Sequence, residues 1–451
     1  MNMKRILMAL ALILAVQMAD AQVKTPEAAK SALDKAQAAA NDAKKAAKVA
    51  TWTKLATAYM DAYNAPMGSA WLGASKQELQ LIMANEKPRS VESVLLGGEN
   101  YTKEVYANKD MYFNANGQLV MVDVTKPVVD DALAGAVDAY AKAYEVDVKK
   151  SKLKDINAGL ENIARKYLDE GMNKYTLGDY ALASVLFEKA AKASATEPLS
   201  RTDTTALYNA GFTAWMVKDY PRAKDLFEKC LAAEYYYEGG EVFAKLADIY
   251  TNLGEKEASR DILEQGFQKF PQSQSILIGL INYYLTNNED PNRLFELIAL
   301  AKKNEPNNAS LYYVEGNIYV ELRKADPANA DHYISKAVEA YDACSGINPD
   351  YEFGYIGKGI MYYNLAIELQ DKAANELDDA KWVKLNKQFT EALKNALEPF
   401  EKAYNVSKDD ALKVNIAEYL KNIYYRFSSD GPEYEAGYKK YNEVVKSGKP
   451  L

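Results

Sequence analysis

The side chains that most often carry out catalysis or bind metals are scarce in this sequence. It contains one histidine, His332, and two cysteines, Cys230 and Cys344. A catalytic triad needs a nucleophile, a histidine and an orienting group, and a structural zinc site needs four Cys or His ligands. His332 has no acid or nucleophile at a recognisable catalytic spacing. The sequence therefore predicts a protein that is not an enzyme, with no catalytic residues, no metal site and no cofactor.

Two short polar runs, residues 287–290 and residues 378–379, carry oxygen-bearing side chains that could bind a metal. A calcium loop places oxygen ligands at alternate positions around an obligatory glycine, and neither run has that pattern. Both runs are therefore interpreted as turn residues. The sequence also contains no phosphate-binding loop and no nucleophile elbow.

Tyrosine is the unusual count, with 34 residues against 12 phenylalanines and 4 tryptophans. Aromatic side chains dominate the energetics of packed cores and of interaction hot spots, and their faces also pack against sugar rings. The formal net charge of −8 argues against nucleic acid as a ligand, because phosphate binding needs a basic surface. The composition favours binding through aromatic and apolar contacts.

The stretch over residues 205–237 shows how these side chains are positioned. It reads as two amphipathic helices joined by a turn at residues 218–220, just before Pro221. Gly211 lies where two helices must approach closely, and Ala223, Phe227 and Cys230 recur on one face of the second helix. Similar units return along the chain, and such self-similarity is typical of a helical solenoid.

These units resemble the tetratricopeptide repeat (TPR) family, which combines a small residue in the first helix with an A-x3-F/Y-x2-A/C second helix. The resemblance covers most of residues 51–63 and 132–446. It implies an all-α, right-handed superhelical solenoid of about seven to eight helical hairpins. Four repeats carry a glycine in the first helix and an aromatic residue in the second: Gly171 and Phe187, Gly211 and Phe227, Gly316 and Tyr341, and Gly359 and Phe400.

The first repeat is interrupted. Its first helix matches the family pattern through Trp52 and Tyr59, but the second helix follows only after an insertion at residues 64–127. Within the insertion we predict a short helix after Ser75, a turn at residues 97–98, and strands at residues 102–106, 110–113 and 118–124. The last two strands are joined by an Asn-Gly hairpin signal at residues 116–117. Val120, Val122 and Val124 are predicted to share one face of the sheet.

The predicted organisation has five parts. They are a signal peptide at 1–21, an N-terminal helix with the first helix of repeat 1 at 22–63, the insertion with a β-hairpin at 64–127, the second helix of repeat 1 at 128–150, and a TPR-like array at 151–451. One repeat is longer than the others, at about 355–404, and we predict both of its helices to be extended around a turn near residues 378–381. Trp382 and Phe389 are predicted in its core, with an exposed contact as the alternative.

Residues 1–21 have the features of a secretory signal: a basic start at Lys4 and Arg5, an apolar run, and an A-x-A cleavage site ending at Ala21. The protein is therefore predicted to be exported, to the periplasm or to the periphery of the outer membrane. Cys230 and Cys344 are predicted to be buried free thiols, because they lie three repeats apart.

The family resemblance implies a function and the residues that perform it. In TPR proteins the first helices line a concave groove that holds a peptide or a partner helix. The positions of this sequence that match the groove are Tyr208, Phe212, Trp215, Tyr313, Asn317, Ile360, Tyr363 and Asn364. The lysines with which chaperone-binding TPR domains hold a terminal carboxylate are absent.

Two hypotheses follow. The first is a non-catalytic scaffold of the bacterial cell envelope that binds a protein or peptide through this aromatic groove. The alternative is a periplasmic or surface protein that binds a glycan or solute.

Overall fold

A computed structural model describes residues 24–83, 86–287 and 290–450 of the chain. It divides into two compact units, Met1–Tyr236 and Tyr237–Leu451. The predicted signal peptide, residues 1–21, lies outside the described residues.

The described part of the first unit is built from antiparallel pairs of helices and one small sheet. Aspartates cap the second helices of its last two pairs: Asp179 accepts a hydrogen bond from the backbone N–H of Leu182, and Asp219 from that of Arg222. The helices are α1 Pro26–Ala40, α2 Ala43–Ala46, α3 Val49–Asn64, α4 Lys76–Ile82, α5 Ala132–Val146, α6 Leu153–Thr176, α7 Tyr180–Ala195, α8 Thr204–Met216 and α9 Tyr220–Ala232.

The N-terminal helix α1 packs against α3. Its Leu33 is fully buried and packs in a cluster with Ala56 and Ala62 of α3. The Gln37 side-chain amide also donates a hydrogen bond to the Tyr59 hydroxyl at 2.9 Å. The few large apolar residues of this alanine-rich segment are therefore enough to attach it to the first hairpin.

The insertion forms a four-stranded antiparallel sheet in the order β1-β2-β3-β4. Its strands are β1 Ser90–Leu96, β2 Glu99–Val105, β3 Lys109–Phe113 and β4 Leu119–Val124. The β1 strand was not predicted from the sequence. The α4 helix covers one face of the sheet, where Leu79 meets Met111 and Phe113.

The prediction that three valines of β4 share one face is wrong. The β3–β4 register shifts between Tyr112 and Phe113, so Leu119 faces Phe113 while Met111 faces Val122. Leu119 is consequently fully buried beside Val122, and Val120 stays 39% exposed. A bulge of this kind moves one residue out of the alternating pattern.

Asp131 caps α5 and links the start of that helix to α6 and α7. Its carboxylate accepts hydrogen bonds from the Tyr167 hydroxyl at 2.6 Å, from the Lys189 ammonium at 2.5 Å and from the Ala134 backbone N–H at 3.2 Å. Burial raises the pKa of this carboxyl group, but these hydrogen bonds outweigh it, and the net pKa lies below its ordinary value. Asp131 also adopts a left-handed φ of 44°, which Asn tolerates as well.

We expect Asp131→Asn to lower the free energy of unfolding at pH 7 by about 1 kcal/mol, because the site is partly exposed and therefore screened. The pKa of Asp131 is lower in the folded protein than in the unfolded chain, where it is about 4. The carboxylate therefore stabilises the folded protein above about pH 4, and this stabilisation is lost as the pH falls through the pKa of the folded state. The difference between wild type and variant should therefore shrink on acidification. Urea unfolding at pH 7 and at steps below pH 4 checks this, and a difference independent of pH would contradict it.

The second unit, in its described residues, consists of helices alone. They are α10 Glu241–Asn252, α11 Lys256–Lys269, α12 Gln274–Asn287, α13 Pro291–Asn304, α14 Ala309–Ala325, α15 Ala330–Ile347, α16 Glu352–Ala374, α17 Asp379–Val406, α18 Asp410–Arg426 and α19 Pro432–Ser447. Consecutive helices pair as hairpins, and the first helices of neighbouring hairpins also touch, as α10 does with α12 and α14 with α16.

The same contact recurs inside four hairpins across the two units. A glycine of the first helix faces an aromatic ring of the second, so closely that an added Cβ would lie 2.5–3.3 Å from it. The pairs are Gly171 with Phe187, Gly211 with Phe227, Gly316 with Tyr341, and Gly359 with Phe400. Eight hairpins are present in the described residues: α3/α5, α6/α7, α8/α9 and the five of the second unit. The predicted all-α array with a small β insertion is therefore confirmed.

The seventh hairpin, α16/α17, has the two longest helices of the second unit, as predicted. Its turn lies at residues 375–378, slightly before the predicted position, because Asp378 caps α17 by accepting a hydrogen bond from the Lys381 N–H at 2.9 Å. Phe389 is in the core, but the prediction for Trp382 is wrong, since its side chain is 48% exposed. Trp382 lies in the first turn of α17, at the end of the hairpin, whereas Phe389 lies two turns further in.

Candidate functional site

The groove positions of the third hairpin form a series of neighbouring rings in the first unit. Tyr208 stacks on Phe212 with ring centroids 6.1 Å apart, and Phe212 lies 5.9 Å from Trp215. Tyr208 also meets Phe227 of α9 edge-on at 5.7 Å and is only 6% exposed. Tyr208 is thus a packing residue, and the half-buried Phe212 and Trp215 provide the accessible ring surface.

In the second unit, Tyr313 and Asn317 of α14 are both half-buried beside the buried Tyr341 of α15. The Tyr341 hydroxyl donates a hydrogen bond to the Asn317 side-chain oxygen at 2.8 Å, and burial raises the pKa of this phenol. Tyr313 lies 6.2 Å from the Tyr341 ring and 5.9 Å from that of Phe353. Asn317 therefore holds Tyr341 in place, and part of Tyr313 is used in packing.

The three predicted groove residues of α16 have different surroundings. Tyr363 meets Tyr419 of α18 edge-on at 5.1 Å, and Ile360 packs against the same apolar core. Asn364 is exposed. Of these three residues, Asn364 is the one whose side chain is open to a ligand.

Asn364 lines a cleft of about 250 Å³ between α14 and α16, the first helices of the sixth and seventh hairpins. The walls combine apolar and polar side chains: Val320, Met361 and Ile367 on one hand, and Arg323, Lys324, Asn364 and Glu368 on the other. Ligand clefts commonly have this composition, with apolar walls that bury surface and a few polar groups that fix orientation.

Arg323 is the unusual residue of this cleft because it is only 9% exposed. Its guanidinium makes a two-point contact with Glu368, from Nη1 to Oε1 at 3.2 Å and from Nη2 to Oε2. The third guanidinium nitrogen, Nε, has its N–H buried without a hydrogen-bond partner among the described residues. A buried donor without a partner costs about 1–3 kcal/mol of folding free energy. A ligand whose acceptor reached this N–H would recover part of that cost on binding.

The groove positions implied by the family resemblance include neither Arg323 nor Glu368. They lie 45 positions apart on helices that each carry several other charged residues. No local pattern pairs them, because their contact depends on how α14 packs against α16. The sequence shows only an arginine near the end of α14 and a glutamate near the end of α16, which is too little to predict their contact.

A second polar surface, also not predicted, lies in the first unit between α3 and α6. The Lys166 ammonium is 4.8 Å from the centre of the Tyr63 ring, and the Tyr63 hydroxyl donates a hydrogen bond to the Glu170 carboxylate. Burial raises the pKa of Tyr63, of Asp169 and of Glu170, and lowers that of Lys166. These groups are therefore partly dehydrated, and their charged forms are disfavoured.

The histidine and the two cysteines do not line the cleft. His332 is exposed at the start of α15, with its ring 5.6 Å from that of Tyr333. Cys230 and Cys344 are fully buried free thiols, and burial raises their pKa to about 12 and about 11. Over the described ranges, no three His, Cys, Asp or Glu side chains are grouped to hold a metal ion, and no helix is long and apolar enough to cross a membrane.

Comparison with solved structures finds TPR proteins. YrrB, described as a TPR protein with an unusual peptide-binding site, is 20% identical, with 48% of this chain and 96% of that chain covered and a TM-score of 0.33. A tetratricopeptide repeat protein from Parabacteroides merdae is 13% identical over 63% of this chain and 97% of that one, with a TM-score of 0.40. A TPR repeats protein from Bacteroides fragilis is 17% identical over 58% and 97%, with a TM-score of 0.28.

At these identities the likeness concerns the fold alone. No family model matches the chain, and no curated protein matches it.

Proposed function

Because the chain has the fold of the tetratricopeptide repeat proteins, we propose that it is a non-catalytic scaffold that binds an extended segment of a partner protein. The observation that carries this proposal is the cleft between α14 and α16. It combines apolar walls with the buried Arg323, whose Nε–H has no partner among the described residues.

The cleft has room for a side chain and a short length of main chain. An apolar side chain of the partner packs between Val320, Met361 and Ile367, and removes their surface from water. A main-chain carbonyl or a carboxylate of the partner accepts hydrogen bonds from Arg323 and Asn364. In the first unit, Phe212 and Trp215 offer the aromatic surface that interaction hot spots favour.

A glycan as the ligand is the less favoured alternative. Sugar rings pack against the open face of an aromatic side chain, and two of the groove tyrosines are packed against neighbouring rings instead. Tyr208 is stacked on Phe212, and Tyr363 packs against Tyr419. Calorimetry of the purified protein against a panel of glycans tests the alternative, and heat of binding with any sugar would favour it over the scaffold.

The proposed location is the cell envelope of a bacterium, in the periplasm or at the periphery of the outer membrane. The support is the N-terminal sequence, with its basic start, apolar run and A-x-A site ending at Ala21. Fractionation of the native host with an antibody against the protein tests this proposal. Recovery in the cytoplasmic fraction would overturn it.

We expect Ile367→Asp to abolish partner capture. Ile367 is 40% exposed in the cleft, so a carboxylate there repels Glu368 and removes apolar surface without disturbing the core. The measurement is in-cell crosslinking of the tagged protein in its native host, followed by affinity purification and mass spectrometry. The expected loss of the principal partner is at least about tenfold.

Leu182→Asp is the matched control. Leu182 is 39% exposed on α7, a second helix in the other unit, and the change in charge and size is similar. Circular dichroism should show both variants folded. If Ile367→Asp captured the partner as well as wild type, or if Leu182→Asp lost it equally, the cleft would not be the binding site.

A further inference from the structure

The β1 strand is an exposed edge of the sheet in the insertion. It pairs with β2 on one side and is the first strand in the order β1-β2-β3-β4. Its seven residues, SVESVLL, are mostly exposed, with Val91 at 58% and Leu95 at 67%. Hydrogen bonding alternates along an antiparallel pair, so every second residue of β1 directs its N–H and C=O groups away from β2.

This edge has few of the features that usually prevent strand pairing. Protected edges are short, contain Pro or Lys, or are covered by another element. β1 contains neither Pro nor Lys, and Glu92 is its one charged residue. Among the described residues, no backbone hydrogen bond joins the outer side of β1 to another segment. The opposite edge strand, β4, contacts α6, where Lys174 pairs with Asp123 at 2.8 Å.

The sequence of β1 is complementary to itself when two copies run antiparallel about Ser93. Val91 then faces Leu95 of the partner subunit, and Leu95 faces Val91 of the partner subunit. These side chains share one face of the strand because they are separated by an even number of residues. Glu92 faces Val94 of the partner subunit, so no like charges lie directly opposite each other. The two cross-strand pairs of Val91 with Leu95 are aliphatic and favourable.

We propose that β1 is a dimerisation edge, at which a second copy of this chain adds its own β1 strand antiparallel about Ser93. The two four-stranded sheets then form one continuous sheet of eight strands. The edge belongs to the insertion, and the proposal is independent of the cleft between α14 and α16.

Cysteine crosslinking tests both the dimer and its register. Two residues directly opposite in an antiparallel pair have Cα atoms about 4.5–5.5 Å apart, within the range of a disulfide. Ser93→Cys should therefore form a covalent dimer on mild oxidation. Ser90→Cys is the control, since its two copies are six residues apart along the strand, or about 20 Å. The native cysteines are fully buried and should not compete.

Charge variants supply the second measurement, by analytical ultracentrifugation over a range of concentrations. Wild type should approach the mass of two chains as the concentration rises. In this register the double variant Val91→Lys/Leu95→Lys places two pairs of like charges opposite each other, so it should weaken the dimer at least about tenfold. The double variant Val91→Lys/Leu95→Glu places unlike charges opposite each other, so it should retain the dimer. Both positions are exposed, so the monomer should stay folded. A mass of one chain at every concentration, or a Ser90→Cys crosslink as efficient as that of Ser93→Cys, would overturn the proposal.

Discussion

Replacing Gly316 by alanine is expected to destabilise the second unit by about 3 kcal/mol, although alanine usually stabilises a helix relative to glycine. The added Cβ would lie 2.5 Å from the ring of Tyr341. That ring is held on two other sides: it lies against Gly357 of α16, where an added Cβ would also be 2.5 Å from it, and its hydroxyl is hydrogen-bonded to Asn317. The overpacking therefore outweighs the gain in helix propensity.

Two other glycines provide the comparison, with urea unfolding as the measurement. Gly346 lies in α15 with open space at its Cβ position, so Gly346→Ala should stabilise the protein by about 0.5–1 kcal/mol. Gly211 has its nearest atoms at 3.3 Å, and Gly211→Ala should fall between the other two. If Gly316→Ala were as stable as Gly346→Ala, the helices would not pack as closely as the structure shows.

Replacing Phe400 by alanine is expected to lower the free energy of unfolding by about 4 kcal/mol. Phe400 is fully buried in α17, stacks on Tyr419 with centroids 4.8 Å apart, and faces Gly359 of α16. Its removal leaves a cavity bordered by three helices, α16, α17 and α18. The residue of α16 that faces Phe400 is Gly359, which has no side chain that could move into the cavity.

Trp382→Ala, in the same helix, is the control for loss of an aromatic ring. Trp382 is 48% exposed near the end of the hairpin, and its replacement should change the free energy of unfolding by less than about 0.5 kcal/mol. Thermal and urea unfolding followed by circular dichroism at the helix band measure both variants. Similar losses for the two variants would mean that the hairpin end is packed more tightly than the structure shows.

The repeating hairpins were predictable because each one needs the same local pattern. A period of 3.6 residues places Ala223, Phe227 and Cys230 on one face, and the small residue that meets Phe227 recurs at the same position in other repeats. The strand β1 was not predicted, because its sequence, SVESVLL, does not alternate between apolar and polar residues along its whole length. The other edge strand, β4, was predicted, because an Asn-Gly turn signal precedes it.

The candidate groove was predictable only in part. The resemblance selected positions on first helices, but it could not show whether a ring at such a position is packed or accessible. Tyr208 proved to be a packing residue, whereas Asn364 is exposed at a cleft. Exposure depends on the neighbouring helix, and for these two residues the relevant neighbours are α9 and α14.

The sequence by itself determined the helical hairpins, the interrupting insertion, and the recurrence of a glycine in the first helix and an aromatic residue in the second, because each repeat carries the same residue pattern. The tertiary structure alone decided the cleft of Arg323 and Glu368, the exposed edge of β1 and the burial of each groove tyrosine. Those features arise where separate elements pack together, and the packing of one helix or strand against a distant one leaves no periodic signal in the sequence.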